Sequence, residues 1–133
     1  MQRFAPQIAY YLDMVRRGDT DNAFHGLLDM DHDILPELMA VFRSEQAIAV
    51  REFLVGVIWQ HREQSVIPFL GEVLSDPEPS IWRQALDGLV ALASPAALDI
   101  LRAARTQQFP TQGETEEFRR WLDEAIEQAE TER

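Results

Sequence analysis

A segment that recurs at a fixed offset restricts a chain to folds in which like units stack on one another. Residues 66–93, VIPFLGEVLSDPEPSIWRQALDGLVALA, supply the best-formed unit. Val66, Ile67, Phe69, Leu70, Val73 and Leu74 recur at helical spacing. Asp76-Pro77-Glu78-Pro79-Ser80 then ends one helix and starts the next. Proline is tolerated in a first helical turn and not in a helix interior, and Ser80 is placed to cap the free amides that follow. Ile81, Ala85, Leu86, Leu89 and Leu92 make the second stripe. Two helices this short cannot bury their own apolar faces, so the unit requires copies of itself on either side.

The copies are present. Pro36 and Pro68 stand 32 positions apart, as do Arg51 and Arg83. At that offset Ile34 matches Val66, Leu38 matches Leu70, Leu54 matches Leu86 and Gly56 matches Gly88. A weaker copy pairs Leu70 with Leu101, and its second helix returns at offset 36, so that Trp82-Arg83-Gln84-Ala85-Leu86-Asp87 aligns with Phe118-Arg119-Arg120-Trp121-Leu122-Asp123. The extra residues fall in Thr106–Gly113, a Pro/Gly loop where insertions cost little. Upstream, residues 5–17 predict a helix closed by Gly18 in the left-handed region, and Asp19, Thr20 and Asp21 offer caps for a second helix. Residues 33–43, 46–60 and 95–105 predict three further helices, and the last begins at Glu114. No stretch alternates as a strand does. Self-similarity at this period with two helices per unit marks a right-handed α-solenoid of about four units, near 5–30, 33–60, 65–93 and 95–130, in one domain over residues 1–133.

Leu74-Ser75-Asp76-Pro77-Glu78-Pro79-Ser80-Ile81, followed by Ala85, Leu89 and Leu92 and then Ser94-Pro95-Ala96-Ala97-Leu98, resembles the HEAT-repeat family, and within it the short bacterial repeats of phycobilisome-lyase type. The resemblance is strongest over residues 65–105. That family usually carries Arg directly after the branched residue at 81; here Trp82 stands there and Arg83 follows. The contacts that stitch neighbouring repeats are therefore expected to differ.

Composition narrows the function. There is no cysteine, which removes disulfides, thiolate metal sites and cysteine nucleophiles. Net charge is −11, every basic residue is Arg, and phosphate binding needs a dense basic face, so nucleic acid is disfavoured as a partner. A basic protein partner is compatible with that charge. Neither a signal-peptide run nor a membrane span is seen, so a cytoplasmic protein is expected. His25, His32 and His61 are scattered, and none precedes Glu, so the His-Glu pairs of iron-holding HEAT-like hydroxylases are missing. No phosphate loop or nucleophile elbow occurs. Asp31-His32-Asp33 reads as a wet turn in which Asp33 caps the next helix, not as a metal site. No catalytic residue, metal or cofactor is expected.

In stacked helix pairs the second helices line the inner wall. The period then sets three rows of candidate binding residues: Arg51, Arg83 and Arg119; Val55, Asp87 and Asp123; Trp59, Ala91 and Glu127. Members of one helix lie four apart and share a stripe. Trp and Arg are enriched at binding hot spots, which points to Arg51, Val55, Trp59, Arg83, Asp87, Arg119 and Asp123 as partner-binding residues. The competing arrangement buries Trp59 and pairs the arginines with carboxylates. Trp82 either closes a seam or stands exposed, and Trp121, aligned with Ala85, is expected to fill space in the core. The function expected is non-catalytic protein binding on the concave face, with an acidic immunity or antitoxin protein as one form. The alternative is an enzyme or enzyme accessory of the HEAT-like lyase or chaperone type.

Overall fold

Proline stands in the first turn of five of the eight α-helices found among the described residues, as Pro6, Pro36, Pro68, Pro79 and Pro95. The computed structural model describes residues 3–132. The helices are α1 (Ala5–Arg16), α2 (Thr20–Leu28), α3 (Leu35–Ser44), α4 (Ile48–Gln60), α5 (Ile67–Val73), α6 (Pro79–Leu92), α7 (Pro95–Ala103) and α8 (Gln112–Glu132). Three short 3-10 turns precede α3, precede α5 and follow α7, and no strand occurs among the described residues. This is an all-α solenoid built from helix pairs. The backbone clusters into two units, Met1–Glu63 and Gln64–Arg133.

In the first unit, Gly18 takes the left-handed turn after α1, with φ of 92°. Helix α1 lies against α2, and α4 lies against both α2 and α3. Gly26 permits the first of these contacts: a Cβ there would sit 2.2 Å from Cε1 of Tyr11. Ile8, Leu12, Leu27, Leu38, Phe42 and Leu54 are buried. Helix α4 is closed from water through Phe53, Leu54, Val55, Gly56, Val57 and Ile58. Six consecutive buried residues cover every direction around a helix, as a helix apolar all round requires. The turn before α3 corrects one expectation. Asp31, not Asp33, is the cap: its Oδ1 accepts the Asp33 N–H at 2.8 Å. The 3-10 turn His32–Ile34 moves the start of the element upstream, so Asp33 falls inside it.

In the second unit, Ser80 likewise lies within the first turn of α6 and does not cap it. Glu78 is the flanking residue and Pro79 the first helical one. Asp76 Oδ1 instead accepts the Glu78 N–H at 3.0 Å and shapes the entry. Ser94 caps α7 by accepting the Ala97 N–H at 3.2 Å. Helix α8 starts two residues earlier than expected, because Thr111 and Glu114 cap each other. Thr111 Oγ1 accepts the Glu114 N–H, and Glu114 Oε1 accepts the Thr111 N–H, each at 3.1 Å. Phe118, Leu122, Ala125, Ile126 and Ala129 then form the buried stripe of α8. Trp82 is buried and meets Phe118 edge to face, ring centroids 5.1 Å apart. Trp121 does not fill the core. It is 39% exposed, and Phe109 of the inserted loop packs on Phe118 instead, at 5.1 Å between centroids. Thr115 pins that loop by accepting the Phe109 N–H at 2.8 Å.

Candidate functional site

Arg51, Val55 and Trp59 descend one side of α4 in the first unit. Arg51 is half-buried, with its guanidinium carbon 4.5 Å from the centre of the Phe42 ring. Trp59 is also half-buried and faces the Arg62 guanidinium at 5.7 Å. Arg62 takes a positive φ of 59° just past the helix, which turns the chain back on itself. Val55 has no exposed surface and leaves the predicted set: the burial of α4 on every side closes that position to a partner.

The second unit carries Arg83 and Asp87 on α6 and Arg119 and Asp123 on α8. Arg83 is the centre of this group. Its Nη2 donates to Glu117 Oε2 at 2.6 Å, and its guanidinium lies 4.4 Å from the centre of the Trp121 ring. A guanidinium against an indole face gains from the ring quadrupole. The buried Nε atoms of Arg83 and Arg119 have no hydrogen-bond partner. Asp87 and Asp123 are exposed. Asp87 lines a shallow pocket of about 110 Å³ with Val90, Trp121, Glu124 and Gln128. Although Asp87 reaches water, the walls of that pocket desolvate its carboxyl and raise its pKa above the ordinary value.

Sequence reasoning missed Glu117 and Trp121 as parts of this surface. They lie four apart in α8, a spacing that places both on one helix face and would have found them. It also missed an open groove of about 420 Å³ between α1 and α3, floored by Ala5, Ile8, Leu12, Ala40 and Val41. Those residues carry only the ordinary signature of a core. At the rim of the groove Arg16 Nη2 meets Glu45 Oε1 at 2.5 Å. Burial works against the Glu45 carboxylate, but the amides of Ala47 and Gln46 and the Arg16 guanidinium together hold its pKa below the ordinary value.

Nothing in Asp31-His32-Asp33 converges on one point. Asp31 is the cap, Asp33 lies 3.6 Å from Arg3, and His32 turns toward His61. No group of three or more His, Cys, Asp or Glu side chains that could hold a metal ion is found among the described residues. No helix of the described residues is long and apolar enough to cross a membrane.

A family model described as HEAT repeats matches residues 35–112, more than half of the chain. No curated protein matches it, and neither does any solved structure.

Proposed function

From its membership of the HEAT-repeat family, we propose that this chain is a non-catalytic module that binds a protein partner through the exposed stripes of its second helices. HEAT repeats generally mediate protein–protein interaction, and the family is generally without catalytic activity. The observation that carries the reading is the Arg83–Trp121 stack, which sets a guanidinium and an indole side by side at the surface. These are the residue types that dominate interface energetics. Asp87 lines the pocket beside it, Arg119 and Asp123 lie elsewhere on α8, and the first unit adds Arg51 and Trp59.

The finer part of the proposal concerns the partner. A net charge of −11 steers association with a basic surface. An immunity or antitoxin protein that masks the basic cleft of a nuclease in the cytoplasm fits that requirement, with residues 1–133 acting as one repeat domain. The test is capture by the tagged chain, read by mass spectrometry and repeated with Arg83→Glu and Trp59→Ala. One enriched basic protein, lost from both variants, is the expected result. An identical capture profile for the wild type and both variants overturns the reading.

A further inference from the structure

Two imidazoles from distant parts of the first unit meet at the end of α4. His32 comes from the turn before α3, and His61 is the residue that closes α4. Their Nδ1 atoms are 2.9 Å apart, the distance of an ordinary N–H···N hydrogen bond. The far side of His61 sets the direction of that bond. His61 Nε2 lies 3.2 Å from the Leu27 carbonyl, which only accepts, so the hydrogen of the neutral ring sits on Nε2. His61 Nδ1 is then the acceptor, and His32 Nδ1 donates to it. His32 Nε2 is left facing Glu63 Oε2 at 3.4 Å. Glu63, His32, His61 and the Leu27 carbonyl thus form a row that ties the turn before α3 and the end of α4 to the last turn of α2.

The neutral rings carry one N–H hydrogen each, and the row uses both. A first added proton has a place at His32 Nε2, where it meets the Glu63 carboxylate and leaves the bond between the rings intact. A second has none. It must go to His61 Nδ1, and two N–H groups on two charged rings then point at each other. We propose that the His32–His61 contact is an acid-released clasp, which holds the turn before α3 to the end of α4 while the pair carries at most one added proton and opens when both rings are charged. Charging of clustered histidines is a general means by which mild acid reorganises a protein. The surroundings of His61 set the range. The residue is 6% exposed. Burial chiefly, and a charged His32 beside it, hold its pKa below the ordinary 6.5, against the opposing pull of the Leu27 carbonyl and Glu63. Once released to water, His61 returns toward that ordinary value. The clasp is therefore intact above about pH 6.5 and weakens as pH falls toward the lowered value. Its opening constant rises by up to about ten-fold per pH unit, the slope for one proton taken up on opening. The other charged groups nearby have their own partners. Asp31 accepts the Asp33 amide, Asp33 meets Arg3, His25 packs on Phe24 and Arg62 faces Trp59, so Glu63 is the counter-charge of the row.

The experiment follows the imidazole signals of the full chain by nuclear magnetic resonance as the pH is lowered from about 8 to about 4.5, a range that spans the ordinary histidine value. At the upper end His61 is expected as its Nε2–H tautomer, with Overhauser contacts between the two rings. Those contacts are expected to vanish once both rings are charged. In His32→Ala, His61 should charge at a higher pH, because the donor and the neighbouring charge are both gone. The His32 side chain is 55% exposed, so this variant is expected to fold, and circular dichroism checks it. Urea midpoints give a second reading: the wild type should exceed His32→Ala at the upper end of the range, and the gap should close at the lower end. His25→Ala, whose ring packs on Phe24, serves as the control and should leave the titration of His61 unchanged. Ring contacts that persist in the wild type with both rings charged, or an identical His61 titration in the wild type and folded His32→Ala, overturn the clasp.

Discussion

Helix α4 of the first unit and helix α8 of the second carry the same register of residues but meet water differently. Val55 in α4 aligns with Asp123 in α8, and Val55 has no exposed surface whereas Asp123 is exposed. The middle of α4, Phe53 to Ile58, is closed on every side, while α8 buries one stripe and turns Glu124, Glu127 and Glu130 to solvent. A repeat therefore conserves where a residue points along its own helix, and the surroundings of each copy decide whether that direction is core or surface.

The largest effect should come from exchanging the two characters. Val55→Asp places a carboxylate where no water reaches and is expected to cost at least about 4 kcal/mol, or to prevent folding. Asp123→Val should stay within about 0.5 kcal/mol. Urea unfolding compares them, and near-equal midpoints would mean that α4 is not closed all round. The next pair of variants tests the tryptophans of the second unit. Trp82→Ala empties a buried site against Phe118 and should cost about 3–5 kcal/mol. Trp121→Ala removes a half-open stack on Arg83 and should cost about 0.5–1 kcal/mol. Equal losses would put Trp121 back into the core.

Glycines give a smaller contrast of the same kind. Gly26→Ala drives a methyl into the Tyr11 ring and is expected to cost about 1–3 kcal/mol. Gly113 in α8 has nothing within 4 Å of its missing Cβ, so Gly113→Ala should stabilise by about 0.5–1 kcal/mol. Differential scanning calorimetry should move the two melting temperatures in opposite directions.

The smallest effects are pH-dependent and of opposite sign in the two units. The folded pKa of Glu45 is lowered, so its ionised form contributes stability that is full above about pH 4.5 and is lost as pH falls through the folded value. Glu45→Gln should therefore be less stable than wild type at pH 7, and the gap should close in acid. The folded pKa of Asp87 is raised, so its ionisation opposes folding as pH rises above the ordinary carboxylate value. Asp87→Asn should be the more stable protein at pH 7, and here too the difference should vanish in acid. Urea midpoints between pH 3 and pH 7 read both. A gap of the same sign for the two variants would contradict the electrostatics of one site or the other.

Much of the fold was legible because it is local. The proline spacing and the apolar stripes of α3 through α7 reflect backbone sterics and helical periodicity, which act within a few residues. Gly18 and Ser94 were legible for the same reason. The caps were less so. Asp31 displaced Asp33, and Pro79 displaced Ser80, because a 3-10 turn or a first-turn proline shifts the element boundary by a residue or two. The candidate surface was legible only as a register. Arg83 and Asp87 lie where the period put them, but Trp121 follows the inserted loop, and the fate of that space was decided by Phe109 from outside the repeat. The meeting of His32 with His61 spans 29 positions and obeys no period, so the sequence carried no sign of it.

The three tryptophans sit in three grades of surroundings, and this makes the molecule its own optical instrument. Trp82 is dry and held by a ring edge, Trp59 is half-covered, and Trp121 lies in water with a guanidinium on its face. Their emission should therefore separate, with Trp121 at the red edge and open to iodide, acrylamide or a docking surface. A partner arriving at α6 and α8 would shift and shield that one component while the Trp82 component held still. Binding could be followed by the natural fluorescence of the chain, with an internal reference already built in.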